Sequence, residues 1–278
     1  MFPLTLKAVA FDLDDTLLRD DLSISDRTVR TLRTLDRKGV HILPCSGRAM
    51  ESMRPFVQRI GCASRVIACN GAEIYSGDFR PLHASLLPLN AALAILAFGA
   101  SRQVYMQTYD GGSFYYNHNS PYADMYARTA RLRGVCIPDL SAFVTLHPTS
   151  KILMMDDPDR ISEMRGQAEA MFSHLCSVTT SKSSYLEFNP LHASKGSALG
   201  ICAKELGFSM ENLIAYGDSL NDLSMLTGAG EGVAVGNARD EVIRACVRVA
   251  PTNGEDGVAV DLLRHYPQFF DLAEGGCP

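Results

Sequence analysis

Asp12 and Asp14 stand two residues apart at the end of the apolar run Ala8-Val9-Ala10-Phe11, and Asp15, Thr16 and two leucines follow them. In a strand, residues i and i+2 point to the same side, so the two carboxylates face one small volume. Their repulsion is costly there unless a cation sits between them. Such a pair suits a hard, oxygen-liganded metal, with Mg²⁺ the best match, and leaves one carboxylate to act as a nucleophile. A polar strand-to-turn junction is the bland alternative. The rest of the chain has to decide between them.

The elements that must position this pair are legible as six short apolar runs: Lys7–Phe11, Val40–Leu43, Arg65–Cys69, Leu213–Tyr216, Gly232–Val235 and Val247–Ala250. Near-continuous apolarity over four or five residues predicts strands buried on both faces, hence a parallel sheet. Helical patterns separate several of them. Ser25 caps one, with Val29, Leu32 and Leu35 inward and Gly39 closing it, and Ser194 caps another that ends at Gly207. The order β-α-β-α is that of a doubly wound, Rossmann-like α/β domain. Five strands stop at small or acidic polar residues: Asp12, Ser46, Asn70, Gly217-Asp218 and Gly236-Asn237. Ligands of open α/β sheets bind outside the carboxyl ends of the strands, and these five ends form a shared site.

The segment from 84 to 189 differs in character and holds seven of the ten tyrosines. Asp110-Gly111-Gly112 predicts a hairpin between Val104–Tyr109 and Ser113–Asn117. A helix is expected from Pro121 to Arg133, with Gly134 after its end, then a strand over Lys151–Met155, a helix over Ile161–Phe172, and strands at Val178–Thr180 and Tyr185–Phe188. Core-type strands resume only after 210. The expected organisation is a catalytic core of residues 1–83 and 190–278 interrupted by an α/β cap, residues 84–189.

The chain has 278 residues, 46% of them hydrophobic and 21% charged, which is ordinary for a globular protein. Its net charge of −5 and the lack of a basic stripe argue against a nucleic-acid partner. The longest apolar stretch, Ala91 to Ala100, is too short to cross a bilayer, and no signal peptide is visible. The eight cysteines form no Cys-x-x-Cys pair and no zinc spacing with His. Buried small hydrophobes in a reducing cytoplasm are the expectation.

Four blocks now line up: Asp12-x-Asp14-x-Thr16, Ser46-Gly47-Arg48, Lys195-Gly196 at a helix start, and Gly217-Asp218-Ser219-Leu220-Asn221-Asp222. In this order and at these strand ends the chain resembles the haloacid dehalogenase (HAD) phosphatase superfamily. Asn70-Gly71-Ala72, Gly232–Ala238 and Thr252–Ala259 resemble its Cof-like subfamily, whose members carry a large α/β cap where the Tyr-rich insertion falls. The resemblance spans residues 7 to 260. Asp15 stands where Gly is frequent and Ser46 where Thr is more usual, and Ser keeps the hydroxyl.

The resemblance implies a Mg²⁺-dependent phosphatase of a small phosphorylated metabolite, monomeric or homodimeric, with no membrane or nucleic-acid partner. Asp12 is then the nucleophile and Asp14 the group that protonates the leaving oxygen and deprotonates water. Asp12, Asp14, Asp218 and Asp222 serve the metal, Asp14 through its backbone carbonyl, with Asn221 an alternative to Asp222 in completing or orienting the shell. Ser46 and Gly47 hold phosphoryl oxygens, Lys195 offsets charge, and Arg48, Asn70 and Asn221 are further phosphate- or substrate-binding residues. Several choices stay open. Arg48 either contacts phosphate or forms a surface pair, and Asn221 and Asp222 either serve the site or cap a short helix. Arg128, Arg131 and Arg133 on one cap helix either read the substrate or form a solvated face. His192 either borders the site or is structural. A phosphomutase, or less readily a phospho-accepting regulatory protein, would use the same residues.

Overall fold

The structure, a computed structural model, describes residues 6–270. The first part of the chain runs β1 (Ala8–Asp12), α1 (Asp26–Arg37), β2 (His41–Cys45), α2 (Met50–Ile60), β3 (Arg65–Ala68), β4 (Glu73–Ser76) and β5 (Pro81–Ala84). A second unit follows with α3 (Leu89–Ser101), β6 (Tyr105–Asp110), β7 (Ser113–Tyr116), α4 (Pro121–Ala130), β8 (Arg133–Cys136), α5 (Leu140–Leu146), β9 (Ile152–Met155), α6 (Pro158–Phe172), β10 (Cys176–Thr179) and β11 (Tyr185–Pro190). The chain then returns through α7 (Lys195–Leu206), β12 (Leu213–Gly217), α8 (Leu223–Gly228), β13 (Glu231–Ala234), α9 (Asp240–Ala245), β14 (Arg248–Val249) and α10 (Gly257–His265).

Two sheets result. The first has the order β14-β13-β12-β1-β2-β3-β4-β5, parallel from β14 to β3 and antiparallel beyond. β1 lies at its centre because both its faces are apolar. Val9 and Phe11 pack with α1, α2 and α10, while Ala8 and Ala10 face Ala198, Leu199 and Cys202 of α7. Small residues on that second face let α7 approach closely, which brings its first residue, Lys195, over the strand ends. The second sheet has the order β10-β11-β9-β6-β7-β8. One of its faces is covered by α3, α5 and α6, and the other carries α4 and turns towards the first sheet.

The chain is therefore an α/β protein with a parallel core and an inserted α/β cap. The hairpin forms as expected, with Gly111 and Gly112 both at positive φ, the requirement of a tight two-residue turn. The expected helix to Arg133 stops at Ala130. Arg131 takes φ 55, Leu132 turns inward, and Arg133-Gly134 open β8 beside β7. Gly134 is a packing gap instead of a helix stop, since a Cβ there would lie 2.5 Å from the Phe114 ring. Arg128, Arg131 and Arg133 consequently share no helix, and all three are exposed. β4, β5 and β8, which lack a buried apolar run, are additions to the strands read from sequence. Seven cysteines are free and Cys277 lies outside the described residues. No helix among the described residues is long and apolar enough to cross a membrane.

Candidate active site

The five polar strand ends meet at one edge of the parallel sheet. After β1 the chain makes a tight turn: Asp14 is extended, Asp15 takes φ 56, and the Leu18 N–H donates to the Leu13 carbonyl at 2.8 Å. Positive φ at Asp15 is a conformation that costs a residue with a Cβ more than glycine, so this turn is held from outside. Asn237 Nδ2 donates to the Asp15 carbonyl at 2.7 Å, and Asn253 Nδ2 to the Leu18 carbonyl at 3.0 Å. Arg19 pairs with Asp256. The late motif residues thus hold the turn from outside.

Asp12 is 6% exposed and its Oδ1 accepts from the Lys195 ammonium at 2.5 Å. Lys195 is fully buried, although a cation at the first position of a helix opposes the helix dipole. Two carboxylates offset both costs, Asp12 and, at 2.6 Å, Asp222. They raise the lysine pKa above its ordinary value in spite of burial. The lysine is delivered there by a close contact. Gly71, at φ +93, lies so near the Ser194 carbonyl that a Cβ would sit 2.1 Å from it.

Asp218 follows β12. Its two oxygens accept from Thr16 Oγ1 at 2.8 Å and Ser219 Oγ at 2.7 Å. The hydroxyl of the first motif therefore orients a carboxylate of the last, a contact no local spacing announces. Asp222 Oδ2 accepts the backbone N–H groups of Asp218 and Ser219, both at 3.0 Å. Ligand oxygens of Asp12, Asp218 and Asp222 lie within 4.8 Å of one another. Burial raises the Asp12 carboxyl well above the usual range, with Lys195 opposing and the neighbouring carboxylates reinforcing it. Asp218 is pushed up to about 6, by burial first and Asp222 next.

That cluster fits a divalent cation. Three buried carboxylates face one ammonium, the donors are all oxygen, and the buried Asn221 Oδ1 has no hydrogen-bond partner among the described residues. Hard oxygen donors and surplus negative charge suit Mg²⁺.

Asp14 lies apart from this cluster. Arg48 grips it in a two-point pair, Nε to Oδ2 and Nη2 to Oδ1, both 2.7 Å. Burial disfavours the Asp14 carboxylate, but the hydrogen bonds and charge of Arg48 outweigh it and hold the carboxyl below its ordinary value. Arg48 is buried, so the surface-pair alternative does not hold. Its remaining nitrogen reaches Ser52 Oγ and the Thr129 carbonyl of the cap. Ser46 is buried, and its Oγ accepts the Arg48 N–H at 3.1 Å, which leaves the hydroxyl proton free to donate. Gly47 lies against Asn70, whose Oδ1 would be 2.8 Å from any Cβ there.

Asn70, expected to bind phosphate, spends its amide on protein. Nδ2 donates to Glu187 Oε2 at 2.5 Å and Oδ1 accepts from Asn221 Nδ2 at 3.1 Å. His192 is exposed and does not line the cavity. Asn221 lines it; Asp222 does not, and closes a capping box with Ser219.

The cap supplies what sequence reading missed. Lys151 and Glu187 are each 2% exposed and paired at 2.9 Å. Lys151 also donates to the Gly47 carbonyl at 2.8 Å, and Ser181 Oγ to Glu187. A buried chain thus runs Lys151–Glu187–Asn70–Asn221, from cap strands to the loop of Asp218. The one available signal is a charge inside an otherwise apolar strand, as in Tyr185-Leu186-Glu187-Phe188. Between cap and core opens a cleft floored by Asp12, Asp14, Ser46 and Asp218 and roofed by Tyr126, Leu153 and Tyr185.

A family model described as haloacid dehalogenase-like hydrolase matches residues 9–262. The chain is 31% identical over 262 residues to a 5-amino-6-(5-phospho-D-ribitylamino)uracil phosphatase of Bacillus subtilis (strain 168), covering 94% of this chain and 96% of that one. It is 27% identical over 237 residues to an HMP-PP phosphatase of Enterobacter sp. (strain 638), covering 85% and 86%. Among solved structures, a haloacid dehalogenase-like hydrolase from Bacteroides thetaiotaomicron superposes with a TM-score of 0.84 at 27% identity, over 94% of this chain and all of that one.

Proposed function

The chain belongs to the haloacid dehalogenase-like hydrolases and is a phosphatase of small phosphorylated metabolites, and from that premise we propose that it hydrolyses phosphate monoesters through a phospho-Asp12 intermediate with Mg²⁺ as cofactor. The observation that carries this reading is the buried Asp12, clamped by Lys195 beside Asp218 on the floor of the cleft.

In the first half-reaction an Asp12 carboxylate oxygen attacks phosphorus and the bond to the leaving oxygen breaks. Asp14, in its protonated form, gives that oxygen a proton. In the second, water attacks phosphorus, Asp14 takes its proton, and the bond to Asp12 breaks to release inorganic phosphate. Arg48 holds Asp14 in the base form required by the second half. An arriving phosphoryl group competes with Asp14 for that guanidinium, which favours protonation of Asp14 for the first half. Ser46 Oγ and the Gly47 N–H hold phosphoryl oxygens, and Lys195 offsets the charge on Asp12. Asp12, Asp218 and the Asp14 carbonyl would hold the metal, with Asp222 placing the loop and the lysine. When bound, Mg²⁺ supplies positive charge against the phosphoryl oxygens. Residues 84–189 serve as the cap that excludes water and selects the leaving group.

The test is release of inorganic phosphate across sugar phosphates, nucleotides and cofactor phosphates. Chelation of divalent metal is expected to lower the rate by roughly 100-fold or more, with recovery on adding Mg²⁺; a chelator-resistant rate removes the metal from the proposal. Asp14→Asn is expected to slow kcat by about 10²–10⁴-fold and to let phosphoenzyme accumulate in acid-quenched samples. Unaltered turnover in that variant would assign the proton to another group.

A further inference from the structure

The cations around the cleft divide into those paired with a carboxylate of the protein and one that is not. Arg48 is held by both oxygens of Asp14, Lys151 by Glu187, and Lys195 by Asp12 and Asp222. Lys182 is different. It sits in the turn between β10 and β11, half-buried, lines the cleft, and forms no ion pair among the described residues. Its ammonium lies 5.7 Å from the Tyr185 ring centroid, and its charge acts on the Asp14 carboxyl, so it faces the site. Asp15 borders the cleft from the core side and is not paired with it.

A second donor lines the same space. Tyr105 donates to Gln107 Oε1, Gln107 Nε2 to the Tyr109 hydroxyl at 2.8 Å, and Tyr109 to the Tyr126 hydroxyl at 2.7 Å. Tyr126 therefore receives a hydrogen bond inside the cap, and its own O–H proton has no acceptor among the described residues. It lines the cleft and is 7% exposed. A buried hydroxyl proton without an acceptor is costly unless a ligand or water accepts it. An unpaired ammonium and an unspent O–H, both contributed to the cleft by the cap, have one chemical partner in common.

We propose that Lys182 and Tyr126 bind a second anionic group, a carboxylate or a second phosphate, on the leaving portion of the substrate. The favoured substrates are small phosphate monoesters that carry a second anion. This rests on the phosphatase reading above, which fixes the first phosphate over Asp12.

The test uses the full chain carrying Asp12→Asn, so that binding is measured without turnover, with Mg²⁺ present. Calorimetric Kd values are compared for ligands differing by one anionic group: 3-phosphoglycerate against glycerol 3-phosphate, 6-phosphogluconate against sorbitol 6-phosphate, and fructose 1,6-bisphosphate against fructose 6-phosphate. At least one pair is expected to favour the double anion by about five- to tenfold, equivalent to roughly 1–1.4 kcal/mol. The carboxylate and bisphosphate arms tell which anion is read. Lys182→Met should bring that ratio near one, and Lys182→Arg should keep it. Tyr126→Phe should halve it or more. No preference in any pair overturns the proposal. Equal weakening of both members by Lys182→Met also overturns it, and would place the lysine on the transferring phosphate. Failure of the phosphatase reading shows separately, as absence of phosphate release from every ester by the unmodified protein.

Discussion

Asp12→Asn is expected to abolish turnover, lowering kcat by at least about 10³-fold, because an amide cannot replace the attacking carboxylate. The same variant should fold, and in metal-free buffer it should melt no lower than the parent. Burial raises the Asp12 carboxyl well above its ordinary value, with Lys195 opposing and Asp222, Asp218 and Asp14 adding to it. A carboxyl whose folded pKa lies above its unfolded one is unfavourable to the fold wherever it is ionised. A neutral isostere removes that burden, and Lys195 keeps Asp222 as its partner at 2.6 Å. Loss of activity with an unchanged or raised Tm would separate function from folding at one residue. Full activity would exclude Asp12 as nucleophile, and a Tm lower by many degrees would show that its pairing with Lys195 outweighs the cost of its burial.

The second large effect is expected in the cap. Lys151→Met leaves Glu187 charged, 2% exposed and without its cation. Breaking one side of a buried ion pair costs about 3–5 kcal/mol. For a chain of this size that is a fall in Tm of roughly 6–20 °C. Adding Glu187→Gln removes the orphaned charge while keeping an amide to bond Asn70, so most of the lost stability should return. Activity should not return with it. The double variant still lacks the bond from Lys151 to the Gly47 carbonyl, at 2.8 Å, that ties the cap to the Ser46-Gly47 turn. Thermal melts and kcat on the four proteins of the cycle decide the matter. Recovery of kcat together with Tm would mean that the pair only stabilises.

These two predictions mark where the sequence was legible and where it was not. Asp12, Ser46, Asn70 and Asp218 could be placed at strand ends because each follows a short apolar run, and buried parallel strands leave little choice about where such runs stop. The lysine at the start of α7 was legible because a cation at a helix N-terminus opposes the dipole and needs a reason. Partners were another matter. Arg48 with Asp14, Thr16 with Asp218 and Lys151 with Gly47 are joined by topology across long stretches of chain, and neither periodicity nor spacing carries that information. Asn70 shows the consequence: it stands at the expected strand end, and its amide bridges Glu187 of the cap and Asn221 of the core. β4 and β5 escaped because an edge strand such as Pro81–Ala84, exposed throughout, has no apolar run to betray it.

The central place of β1 also governs how the protein is made. Its neighbours are β2, which follows soon after, and β12, which is translated only after the entire cap. On the ribosome the first strand waits with one edge unpaired while residues 85–212 emerge, and an apolar strand with a bare edge is a template for pairing with other chains. The cap meanwhile closes its own sheet from contiguous sequence, so it can reach its fold first. The catalytic floor assembles last, when β12 slides in beside β1 and α7 brings its lysine down. A protein truncated before β12 would keep Asp12, Asp14 and Ser46 in place on the chain and still have no active site. Assembly of the enzyme is thus a late event in its own synthesis, and the interval before it is when the nascent chain most needs shielding.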